Sequence, residues 1–203
     1  MMRLVFGARR ARDLPAGAVA GGDEGGGHAT NVETDGHRLA AGGCDSGRGG
    51  GGTRRGRLGA AFELPASVGK ATLRQFRGGW LVLVFFPKAF APRDTEELES
   101  LRDVFPDLKR MKADVLAVSM DPPSVNARFR RELKLPFELA SDTQKTVSAA
   151  YGAMGLGRLF SARKTVLIDP QGRIAARLDK VREKRHGAQV LKALREAQSA
   201  AAP

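Results

Sequence analysis

The order of apolar and polar positions divides the chain near residue 58. Before that point no periodicity repeats; after it, apolar runs alternate with amphipathic stretches. "GWLVLVFFP" (79–87) is a continuous apolar run closed by Pro87, the pattern of a strand buried on both faces. "DTEELESLRDVFPDLKRMK" (94–112) sets Leu98, Leu101, Val104, Phe105, Leu108 and Met111 at three- and four-residue steps, which predicts an amphipathic helix. Asp94, with Glu97 three residues on, suits the N-cap of that helix and a loose capping box, with acidic residues in the first turn. Pro106 is expected to kink or interrupt it. "DVLAVSM" (114–120) reads as a second core strand. "PPSVNARFRREL" (122–133) reads as a second helix with proline at its start. "FELASD" (137–142) is a short extended piece, and "TQKTVSAAYG" (143–152) a helical stretch ending at Gly152. "KTVLIDPQGRIAARLD" (164–179) predicts a hairpin turning at Pro170-Gln171-Gly172. "GAQVLKALREAQ" (187–198) is a closing amphipathic helix. Strand, helix, strand, helix, then hairpin and helix imply an α/β fold, a mixed sheet with helices on both faces.

Residues 1–57 contrast with this. They hold 16 of the 25 glycines, and such a segment cannot bury enough surface to offset its ordering entropy. The expectation is a disordered Gly/Arg-rich segment at 1–57 and one folded domain at 58–203. The start, "MMRLVFGARRARDL", is Arg-rich but lacks the apolar core of a secretory signal, and Asp13, Asp23 and Glu24 soon follow. An extension without function, or a start codon set too early, is the plainer reading than organelle targeting. Cys44 lies in this segment and reads as a free thiol of ordinary reactivity.

Composition narrows the chemistry. A single Cys excludes a disulfide within the chain and any CxxC redox or zinc motif. The scattered His residues match no metal-ligand spacing, so neither metal nor cofactor is expected. The longest apolar run, Trp80 to Phe86, is far short of the roughly 20 residues of a membrane helix. A cytoplasmic protein without a membrane partner is the expectation. Of the net charge of +12, +3 falls on residues 1–58 and +9 on 59–203. That excess could draw anions or nucleic acid. No aromatic residues interleave with the basic ones, so a solvated, Arg-rich surface is the plainer reading.

Several words occur together in one order. "FELPASVGKATLRQFRGGWLVLVFFPKAFAP" holds a Phe-x-Leu-Pro strand and a Gly turn ahead of the apolar run. "PFELASDTQKTVSAAYGAMG" and "ARKTVLIDPQGRI" follow. In this order and spacing, from about Ala61 to Ala197, the chain resembles the peroxiredoxins of the alkyl hydroperoxide reductase/thiol-specific antioxidant family. The branch it most resembles is the bacterioferritin-comigratory-protein one. The resemblance implies a thioredoxin-like fold and antioxidant oxidoreductase chemistry, the thiol-dependent reduction of peroxides. The family's motif is Pro-x-x-x-Thr/Ser-x-x-Cys, completed by a distant Arg. Pro87 and Arg163 match it. The Thr falls on Ala91 and the peroxidatic Cys on Asp94; a resolving Cys five residues on would fall on Glu99.

The substituted positions are the chemical ones. In the family a thiolate attacks one peroxide oxygen and becomes a sulfenic acid, which another thiol resolves. A carboxylate has no such cycle, and Ala91 lacks the hydroxyl that would position substrate. Asp94 does keep an anion beside Arg163, whose burial without one would cost several kcal/mol. Two readings of Asp94 stand at this point: an ion pair with Arg163 that shuts the site, or a helix cap with Arg163 facing solvent. Arg93 could compete for the same carboxylate. Phe90 could line the pocket, whereas Trp80, Phe85 and Phe86 read as core. "DKVREKRHG" (179–187) reads as a solvated edge and His186 as a surface residue.

Three functions follow. The first is a peroxiredoxin relative with a degenerate site and no peroxidase activity. The second is a working thiol peroxidase using Cys44 or a partner's thiol. The third is an anion- or nucleic-acid-binding module. A thioredoxin-like reductant or another protein is the expected partner, and the chain is expected to be a monomer or a dimer.

Overall fold

The computed structural model describes residues 56–201. Cys44 and the Gly/Arg-rich stretch up to residue 55 lie outside the described residues. Gly56 and Arg57 do not belong with that stretch: they pair with a strand of the sheet, through Gly56 N–H to Ile174 O and Ile174 N–H to Arg57 O, both 2.8 Å.

Five strands form the central sheet. β3 (Trp80–Phe85) lies in the middle, fully buried as its unbroken apolar run requires. β4 (Ala113–Ser119) and β5 (Glu138–Ser141) extend the sheet on one side in parallel. β6 (Lys164–Ile168) and β7 (Ile174–Leu178) extend it on the other in antiparallel sense. The order is β5-β4-β3-β6-β7. A two-stranded hairpin, β1 (Glu63–Pro65) and β2 (Lys70–Thr72), precedes it. The helices are α1 (Pro92–Arg110), α2 (Pro123–Glu132), α3 (Thr146–Ala150) and α4 (His186–Ala201).

Alternate residues of β3 enter two separate cores. Trp80, Val82 and Val84 pack with Leu98, Leu101 and Leu108 of α1, Phe129 of α2, and Val190 and Leu194 of α4. Leu81, Leu83 and Phe85 pack with Phe62 and Leu64 of the hairpin and with Val147 and Tyr151. Helices do lie on both faces, but unequally. The second face is covered by the hairpin and the short α3, and Tyr151 is fixed there by donating its hydroxyl to Ala60 O at 2.8 Å.

Two local expectations need correction. Pro106 neither breaks α1 nor ends it; the helix runs on to Arg110. Pro106 is exposed, so the hydrogen bond it forfeits falls on the solvent side, where water can replace it. Asp94 is not the N-cap: Ala91 holds that place, and Pro92 opens the helix. The fixed φ of proline suits the first helical position, which moves Asp94 into the first turn.

Candidate active site

The site lies where β3 ends. The chain leaves β3 at Phe85, passes Pro87, and enters α1 at Pro92. The loop between is held by backbone donors. Ala89 N–H bonds Asp121 Oδ2 at 2.8 Å, and Asp121 is fixed in turn by the Ser119 hydroxyl at 2.9 Å. Phe90 takes φ +67°, a conformation costly for a bulky side chain. Its ring lies 4.7 Å from that of Phe129, tilted by 49°, and the Arg128 guanidinium sits 4.5 Å from its centroid. Phe90 is thus committed to α2.

Asp94 is 1% exposed and Glu97 fully buried. Asp94 Oδ2 accepts Lys88 N–H at 3.1 Å, so the loop backbone and the first turn of α1 close on one carboxylate. Antiparallel pairing of Phe85 with Lys164 brings the preceding residue, Arg163, to the same end of the sheet. Its guanidinium donates from Nη2 to Asp94 Oδ1, from Nε to Glu97 Oε2 at 2.7 Å, and lies with Nη1 3.1 Å from Glu183 Oε1. Of the two readings of Asp94, the structure holds the ion pair. Arg93 does not compete for Asp94. It points outward, and its Nε lies 3.5 Å from Glu183.

His186 corrects another expectation. It is fully buried, not a surface residue. Its Nε2 shares a 2.8 Å hydrogen bond with the Thr165 hydroxyl, and its Nδ1 lies 3.1 Å from Glu97 Oε1, without the alignment of a hydrogen bond. The stretch 179–187 is therefore solvated only in part: Glu183 and His186 turn inward. Sequence reasoning missed Glu97, Glu183 and His186 as members of the site. For Glu97 a signal existed. It lies on the apolar stripe of α1, one residue before Leu98 and three after Asp94.

The charges fit one another. Burial is the largest influence on Asp94 and pushes its carboxyl above the ordinary value of 3.8, against the lowering pull of Arg163 and with help from neighbouring Glu97. Burial acts to lower Arg163, but the hydrogen bonds and charges of Asp94 and Glu97 outweigh it and hold the guanidinium above its ordinary value. The two directions have different causes: desolvation raises Asp94, whereas the neighbouring carboxylates raise Arg163, which stays charged throughout. Glu183 is held below its ordinary value by its own backbone N–H and, over the cost of desolvation, by Arg163 and Arg93. Each nitrogen of the Arg163 guanidinium lies beside a carboxylate oxygen, and no thiol stands among the described residues. The arrangement can hold charge.

Comparison with known proteins agrees with this fold. Residues 56–177 match the AhpC/TSA family, and the chain belongs to that family of peroxiredoxins. It is 34% identical over 137 residues to a putative peroxiredoxin bcp of Coxiella burnetii, covering 64% of this chain and 91% of that protein. It is 33% identical over 142 residues to peroxiredoxin Bcp of Escherichia coli, covering 66% and 91%. Among solved structures it is similar to the bacterioferritin comigratory protein of Xanthomonas campestris, a protein studied for alkyl peroxide reduction. The TM-score is 0.62 at 28% identity, over 66% of this chain and 90% of that one. Peroxidoxin BcpB of Mycobacterium tuberculosis gives a TM-score of 0.65 at 28% identity, over 71% and 97%. The central sheet with its flanking helices is thus the thioredoxin-like fold of the peroxiredoxins. Among the described residues no helix is long and apolar enough to cross a membrane.

Proposed function

We propose that residues 58–203 form a peroxiredoxin-like domain whose catalytic position is taken by Asp94, and that the chain has no thiol peroxidase activity. The observation that carries this is the pairing of Arg163 with Asp94, Glu97 and Glu183. In a working site that cation would lower the pKa of a thiolate and stabilise charge on a reacting oxygen. Here it is already neutralised by two buried carboxylates. Pro87 keeps its place at the end of β3, while Ala91 offers only a methyl group where a hydroxyl would hold substrate. Asp94 itself is a poor nucleophile toward a peroxide and has no oxidised state from which a reductant could return it.

Without a sulfenic acid, a thioredoxin-like reductant has nothing to reduce at this position. The fold then serves binding or regulation, and a protein partner is the reading that remains. With one Cys in the chain, no disulfide framework calls for an oxidising compartment, and a cytoplasmic location is part of the same proposal.

The test is hydrogen peroxide consumption by the full chain with a dithiol reductant, beside Cys44→Ser. Neither should exceed buffer. Consumption that survives Cys44→Ser would overturn the proposal. Consumption that vanishes with it would place the sulfur on the segment before the domain. In the converse experiment, Ala91→Thr with Asp94→Cys restores a hydroxyl and a thiol beside Arg163, and turnover should appear.

A further inference from the structure

Outside the buried cluster, the mouth of the site has an unusual lining. Arg93 and Glu96 from the first turn of α1 face Arg182, Glu183, Lys184 and Arg185, which lead into α4, across an open cleft of about 380 Å³. Four cations meet two carboxylates. Both carboxylates are engaged: Glu183 with Arg163 and Arg93, and Glu96 with Lys184 at 3.4 Å. Arg182 and Arg185 are exposed and have no carboxylate partner among the described residues.

We propose that this cleft docks an acidic peptide segment of a protein partner. The unpaired groups are arginines, whose planar forks match carboxylates in pairs of hydrogen bonds. Two of the cations already lie near carboxylates, Arg93 3.5 Å from Glu183 and Lys184 3.4 Å from Glu96. Two features set a peptide apart from a nucleic acid. A phosphodiester chain has no backbone N–H to offer Glu96 and Glu183 and would meet them only as like charges. A peptide offers backbone N–H donors to those carboxylates while its Asp and Glu side chains take Arg182 and Arg185. A second copy of the chain is disfavoured, because the same face would meet itself with the same net positive charge. The inference does not depend on whether Asp94 has displaced peroxidase chemistry, since none of the six lining residues supplies that chemistry.

The experiment titrates fluorescein-labelled hexaglutamate into the full chain and follows anisotropy, with six-residue oligothymidylate as the rival probe. Hexaglutamate should bind saturably and weaken about tenfold between about 50 and 300 mM salt. Arg182→Glu with Arg185→Glu should cost at least about tenfold in affinity. Arg131→Glu with Lys134→Glu, at the far end of α2, should change affinity less than about twofold. In amide-detected NMR, shifts on binding should centre on residues 92–97 and 182–187. Absence of saturable binding, equal loss in both double variants, or tighter binding of the oligonucleotide would each overturn the proposal. The peroxide assay stays independent: Arg182→Glu with Arg185→Glu leaves Asp94, Glu97 and Arg163 untouched.

Discussion

The two parts of the buried stripe on α1 are buried in different ways. Leu98, Leu101 and Leu108 face the sheet and gain stability by leaving water. One turn earlier, Asp94 and Glu97 occupy the same side of the same helix and are as deeply buried. There each carboxylate loses hydration, and the cation arriving from residue 163, helped at Asp94 by the Lys88 N–H, offsets that loss. The apolar half would bury its side chains against almost any greasy surface of the right shape. The charged half depends chiefly on one guanidinium shared by both carboxylates. The same helical period therefore encodes burial twice, once with a broad tolerance and once with almost none.

That contrast can be broken most sharply by Arg163→Met. It leaves two buried carboxylates facing each other, and urea denaturation should show a loss of about 3–5 kcal/mol. Adding Asp94→Asn to that variant should recover part of the loss, giving a coupling far from additive. In the apolar half, Leu101→Ala should cost about 2–4 kcal/mol by leaving a cavity. That cost should be the same at every pH and add simply to Asp94→Asn.

Asp94→Asn alone should stay within about 1 kcal/mol of the parent at neutral pH, because Glu97 and Glu183 still pair Arg163. Its pH profile is the finer test. Burial raises the Asp94 carboxyl above 3.8 in the folded state, so the folded chain holds that proton more tightly than the unfolded one. The resulting stability is complete below the ordinary value and is lost as pH rises through the raised one. The variant should lack that loss, gaining on the parent as pH climbs from about 3.8 toward neutrality. A parallel pair of curves would show that Asp94 titrates as an ordinary carboxylate. The smallest effect belongs to Arg93→Ala: a side chain 78% exposed and 3.5 Å from Glu183 should change stability by no more than about 0.5 kcal/mol.

The sheet and its helices were legible because each apolar run has a length and period that only one element satisfies. β3 is an example: Trp80 to Phe86 contains no polar residue and ends on a proline. The partner of Asp94 was legible in a different way, through resemblance, which placed Arg163 at the site without fixing what it touched. His186 was not legible. It lies 89 residues from Glu97 in sequence, and its neighbours, Lys184 and Arg185, are exposed and basic. Its burial is a tertiary fact, set by where α4 begins against α1. Gly187 shows how close that approach is. A Cβ there would come within 2.3 Å of Ser100 O, and its N–H bonds the Ser100 hydroxyl at 3.0 Å. The helix cap at Asp94 failed as an expectation for a local reason: Pro92 took the first helical position two residues earlier.

The contacts of Arg163 also carry a temporal meaning. They join residues 69 and 66 positions apart in the chain, to Asp94 and Glu97 respectively. Pairing over such a separation is slow to form, because loop closure precedes any gain from the contact. The charge cluster is therefore expected to close after β3, β4 and α1 have come together, on the late side of the folding barrier. Weakening it should leave the refolding rate nearly unchanged and quicken unfolding. On that expectation the carboxylates at the end of the sheet are a latch on the lifetime of the folded chain.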